Sequence, residues 1–131
     1  MGNSYELSTH ICNNYSESIV LLYGLWKAEL QAEGTSGTPT QTATLLFEKH
    51  PELPGSVTGG INRGGQISQA AGDLDAGSFT LEESPDGKII AAVWDGELEP
   101  SSCGKTIKGS WTNQLTGQVL QFVLRKVPGW N

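Results

Sequence analysis

The sequence predicts an all-β protein, an eight-stranded antiparallel up-and-down meander barrel, with a β-sandwich as the alternative. Three observations lead there. From Gly77 to Leu98, Phe79 and Leu81 alternate with Ser78 and Thr80. A Ser84-Pro85-Asp86-Gly87 turn follows, and Ile90, Ala92, Trp94, Gly96 and Leu98 then share one face against Asp95 and Glu97. A period of two, broken by a turn and restored, marks a β-hairpin. Second, an apolar-x-Gly-x-apolar pattern recurs at Leu22-Gly24-Trp26, Val57-Gly59-Ile61, Ala70-Gly72-Leu74, Trp94-Gly96-Leu98 and Ile107-Gly109-Trp111. In a strand these three positions share a face, so each glycine falls among core residues, where it lets a strand bend sharply enough to close a small barrel. Third, no stretch carries helical periodicity, and closing an even meander removes the exposed edges that an open sheet must protect.

Residues 1–18 read as an N-terminal arm or an extra edge strand, with loose alternation from Tyr5 to Ile11 and a turn cluster at Asn13-Asn14-Tyr15-Ser16. The barrel occupies 19–126. Its first strand is expected to begin at Ile19 and run through Trp26, Ala28 and Leu30, with Gly34 to Thr40 a flexible loop. Ala43, Leu45 and Phe47 define the next strand, and Pro51 to Gly55 turns the chain. Val57 to Ile61, a tight turn at Arg63-Gly64-Gly65, and Ile67 to Leu74 complete the second hairpin. After the Gly77–Leu98 hairpin come Ile107 to Trp111 and then Leu120, Phe122 and Leu124, and 127–131 forms a C-terminal tail.

With 131 residues the chain has the length of one domain and can bury about two-thirds of its unfolded surface. A formal charge of −6 and no Lys/Arg cluster would repel a phosphate backbone, so nucleic acid is not an expected partner. No apolar run approaches the roughly 20 residues of a membrane helix. The first residues have neither a basic region nor a small-residue cleavage site, so no signal peptide is read there.

No catalytic signature emerges. His10 and His50 stand apart, without a Cys or His at ligand spacing, so no metal or other cofactor is expected. Gly104-Lys105-Thr106 lacks the first glycine of a phosphate loop, since Glu99 stands in its place. Glu82 and Glu83 are adjacent, so a strand points them to opposite faces and they cannot pair as acid and base. The chain is read as not an enzyme.

Cys12 and Cys103 permit one disulfide, worth about 4 kcal/mol on loop-entropy grounds, or two unrelated thiols. Cys103 sits in a turn-like Pro100–Gly104 setting where a free thiol would be a liability. An extracytoplasmic location, periplasmic or secreted, is therefore expected, and a cytoplasmic one if both cysteines are free.

The aromatics remain. Trp26, Trp94 and Trp111 fall on interior faces, and Gly96 and Gly109 put bare backbone beside two of the indoles. That constellation predicts either a pinched, plugged barrel or an aromatic-walled cavity for a small apolar or aromatic ligand, with the plug and a site confined to the mouth preferred. An interaction protein, such as an enzyme inhibitor acting through its N-terminal arm, is the other reading.

Gly24-Leu25-Trp26, Trp94-Asp95-Gly96 and a tryptophan one strand later, Trp111, resemble the avidins and lipocalins, the calycin group of eight-stranded barrels. That resemblance implies ligand binding at one end of the barrel. Leu25, Lys27 and Glu29 stand where an avidin has polar ligand contacts, and Val119 to Arg125 has no Asp, so biotin is not implied. Ile11 to Ser16, Gly77-Ser78-Phe79 and Val93-Trp94-Asp95 resemble aegerolysins, which implies a β-sandwich that binds membrane lipids.

Overall fold

The computed structural model describes residues 19–32 and 41–129. Eight strands form a closed antiparallel barrel in simple chain order: β1 (Gly24–Ala32), β2 (Gln41–Lys49), β3 (Ser56–Arg63), β4 (Gln66–Asp75), β5 (Ser78–Ser84), β6 (Ala92–Leu98), β7 (Thr106–Asn113) and β8 (Val119–Lys126). β8 pairs with β1, Leu124 opposite Ala28, and this closes the sheet. Closure excludes the sandwich, and with it the sheet on which the aegerolysin comparison depended. The strands alternate, with mostly apolar residues inward and mostly polar or charged ones outward, Ser68 and Glu83 being buried exceptions.

Several of the recurring glycines lie opposite rings. Gly59 lies opposite Phe47, Gly96 opposite Phe79 and Gly109 opposite Phe122, while Gly96 and Gly109 face each other across β6 and β7. A side chain at Gly109 would run into the Asp95 carbonyl oxygen, and one at Gly96 would come within 2.6 Å of the Lys108 carbonyl oxygen. These strands approach so closely that only glycine fits, and the wall bends inward there. Neighbouring backbone occupies the space that a side chain would take, joined at Gly96 by the Phe122 ring. Phe47, Phe79, Phe122 and Trp94 form a chain with centroids 6.3, 6.4 and 5.0 Å apart, at the tilted and edge-on angles aromatic pairs prefer. The middle of the barrel is therefore packed with rings.

Two sequence expectations need correction. Ile19 does not begin a strand: Ile19–Leu22 is a 3₁₀ turn, with the Tyr23 amide donating to the Val20 carbonyl. A short apolar run does not distinguish the two conformations, and Gly24, at φ 123°, uncouples the turn from β1. Ile90 is not in β6, which starts at Ala92. Residues 85–91 form a longer loop, organised by Asp86, whose Oδ1 accepts the Ser84 hydroxyl at 3.0 Å and the amides of Lys88 and Ile89 at 2.8 and 2.9 Å. Those amides, Ile89 first, hold the Asp86 carboxyl below its ordinary value. The expected arm or edge strand at 1–18, the Gly34–Thr40 loop and Trp130 lie outside the described residues.

Candidate functional site at the barrel mouth

One end of the barrel is closed. Leu22 of the 3₁₀ turn is buried in the core, and the Trp26 indole Nε1 donates to the Leu22 carbonyl at 2.9 Å. Lys126 lies 5.9 Å from the Trp26 ring centre and donates from Nζ to the Leu21 carbonyl at 3.0 Å. Partial burial, and Lys105 nearby, push the Lys126 ammonium below its ordinary value. Trp26 is thus part of a floor, separate from the other four residues singled out from the sequence.

The opposite end is the mouth, where β3 meets β4, β5 meets β6 and β7 meets β8. Here the structure brings Trp94 opposite Trp111 in the β6–β7 register. Both indoles donate to one oxygen, Glu83 Oε1, at 2.9 and 3.1 Å. Arg63, the last residue of β3, donates from Nη2 to both Glu83 oxygens at 2.9 and 2.8 Å, and its guanidinium lies 5.0 Å from the Trp111 ring centre. Glu83 is only 5% exposed, Trp94 0% and Trp111 4%. A carboxylate so buried needs both a countercharge and hydrogen bonds, and this one has Arg63 and two indoles.

Reading the sequence did not single out Glu83 or Arg63, yet period-two alternation carried the signal. Glu83 is in phase with Phe79 and Leu81, and Arg63 with Ile61, all core positions. Two opposite charges in phase with core faces mark a buried pair.

Beside this network is a cavity of about 140 Å³ lined by Arg63, Ser68, Glu83, Ala92, Trp111 and Asn113. Its lining combines one aromatic residue, Trp111, with polar side chains and the small apolar Ala92. Ile67, Ile89, Leu115 and Val119 stand exposed around the same end. A larger depression, about 460 Å³, is lined by the outward-facing Lys27, Glu29, Thr42 and Thr44 and lies on the outer wall. Gly96 and Gly109 line no chamber. The missing side chains at these two positions are replaced by neighbouring backbone, and at Gly96 by the Phe122 ring as well. Of the two alternatives drawn from the sequence, this matches the preferred pinched wall and not the aromatic-walled cavity.

Among the described residues, no three His, Cys, Asp or Glu side chains are placed to hold a metal, and no helix is long and apolar enough to cross a membrane. His50 accepts the amides of Glu52 and Leu53 at Nδ1 and so organises its own turn. No described cysteine is free, and the expected partner of Cys103, Cys12, lies outside the described residues.

No family model matches the chain, and no curated protein matches it. Among solved structures it is similar to a redesigned β-barrel, b11L5F_LGL, with a TM-score of 0.57 and 16% identity over 85% of this chain and 96% of that one. A second redesigned barrel, mFAP0, bound to DFHBI, aligns with a TM-score of 0.47 and 16% identity over 81% of this chain and 99% of that one. At such identity the likeness is one of fold: an all-β, closed, eight-stranded antiparallel meander barrel.

Proposed function

We propose that this protein is a non-enzymatic binding module that takes a small aromatic ligand at the barrel mouth, over Trp111 and beside the Arg63–Glu83 pair. One observation carries the reading. The mouth is the place where a buried charge pair, an indole face and a cavity coincide, while the barrel's middle is filled by rings. Small sites of this kind combine an apolar face with a few fixed polar groups. A cavity of about 140 Å³ suits a single ring rather than a lipid or a fused polycycle. The apolar side chains around the rim favour an aromatic guest over a sugar.

The test is an NMR screen of single-ring aromatic fragments against the natural protein and Ser68→Val, which places two methyl groups where the cavity has a hydroxyl. Fragments that bind the natural protein and lose at least tenfold in affinity to Ser68→Val, with an unchanged fold, support the mouth. Undiminished binding to Ser68→Val places the site elsewhere, and no binding to either protein overturns the reading. We further propose a Cys12–Cys103 bridge and an extracytoplasmic location. Denaturing, non-reducing thiol titration should then find no free thiol, and two per chain would refute the bridge.

A further inference from the structure

A second cavity opens on the outer side of the floor. It measures about 290 Å³, about twice the one at the mouth, and Leu21, Lys105, Lys126, Val127 and Pro128 are among the residues that line it. The β7–β8 ladder puts the two lysines together. Thr106 pairs with Arg125, and one step further the Lys126 amide donates to the Lys105 carbonyl at 2.9 Å. Lys126 is in phase with the buried Leu124, and Lys105 with the buried Ile107. Like charges opposite each other on antiparallel strands repel and destabilise.

Elsewhere this chain answers its cations with carboxylates. Lys108 pairs with Glu99, Arg125 with Glu29 and Arg63 with Glu83. Among the described residues no carboxylate lines the floor cavity, and neither Lys105 nor Lys126 has an ion pair. Lys126 has three N–H donors, of which one goes to the Leu21 carbonyl. Partial burial first, and then Lys105, weaken its hold on the proton. An anion between the two ammonium groups would relieve their repulsion. The overall charge of −6 opposes an extended polyanion, but a small guest feels mainly the groups within about 10 Å of it.

We propose that the outer floor binds a small phosphate monoester, its dianion between Lys105 and Lys126 and its organic substituent against Leu21, Val127 and Pro128. Two ammonium groups match the double negative charge that such an ester carries above its second pKa of about 6. A cleft of one sign with apolar walls concentrates its field on that guest. The site is independent of the mouth.

The test is an NMR titration at pH 7.5 and low ionic strength with methyl phosphate and with acetate, neither of which has a ring to offer the mouth. In the natural protein the amides of Gly104, Lys105 and Val127 should follow one saturable curve, while the Trp94 and Trp111 indoles stay in place. Methyl phosphate should bind at least fivefold more tightly than acetate. Lys105→Gln and Lys126→Met should each weaken methyl phosphate at least fivefold. Lys88→Gln, in the 85–91 loop at the other end of the barrel, should leave it unchanged. Equal affinity for the two probes, an equal loss in Lys88→Gln, or no saturable shift at the floor would overturn the proposal. Phosphatidylcholine vesicles containing phosphatidic acid present the same chemical group on a lipid, and they should not retain the protein. Retention that requires both lysines, without binding of methyl phosphate, would overturn a small-molecule site.

Discussion

The two ends of this barrel solve one problem in different ways. Each buries a tryptophan whose indole needs an acceptor, and each sets a cation by the ring. At the floor the acceptor is a backbone carbonyl four residues earlier, Leu22, and the cation is Lys126. At the mouth the acceptor is the side chain of Glu83, twenty-eight residues before Trp111, and the cation is Arg63. A local backbone acceptor comes with a turn that plugs the opening. A side-chain acceptor comes with the Arg63–Glu83 charge pair, and a cavity of about 140 Å³ lies beside it. The floor serves closure, and the mouth is where we propose recognition.

The largest effect is expected at the floor. Trp26→Ala should cost roughly 3–5 kcal/mol, because a deleted buried indole leaves a cavity that its neighbours only partly fill. Chemical denaturation measures this, and a midpoint unchanged within error would show that Trp26 is no part of the seal. Next comes the wall both ends share. Gly109→Ala should cost about 3 kcal/mol, since the added methyl meets the Asp95 carbonyl rather than empty space. A neutral result would mean the wall is not pinched.

Glu83→Gln keeps the shape and one carbonyl oxygen but removes the charge. It should cost about 2 kcal/mol and alter both mouth indole signals while leaving Trp26 unchanged. Lys126→Met should change stability by less than about 1 kcal/mol at neutral pH, because the lost ring contact and hydrogen bond are offset by relief of a partly buried charge. The sign with pH distinguishes it. The folded-state value of Lys126 lies below 10.5, so over that range the unfolded chain binds more protons and stability rises with pH. Lys126→Met should lack that part of the rise, and an identical pH profile would contradict the assignment.

How much of this was legible in the sequence follows the same division. The wall was legible because alternation and the apolar-x-Gly-x-apolar repeat are local signals that survive without knowledge of neighbours. The register that puts Gly96 opposite Gly109 and Trp94 opposite Trp111 is a consequence of those signals. The floor was misread, because four apolar residues at Ile19–Leu22 satisfy a strand and a 3₁₀ turn equally, and only burial against Trp26 decides. The chemistry of the mouth was missed, because Glu83 was weighed only against its neighbour Glu82. Its true partners, Arg63, Trp94 and Trp111, are on three other strands, and closing the barrel is what assembles them.

The most direct test of a closed floor and a receptive mouth is one spectrum. The indole N–H region of a ¹⁵N-labelled sample, assigned with single Trp→Phe variants, is followed as a single-ring aromatic fragment that binds in the screen is added. The Trp111 and Trp94 signals should move together along one saturable curve while the Trp26 signal stays in place. Movement of Trp26 with Trp111 and Trp94 at rest would put the site at the wrong end and contradict a receptive mouth.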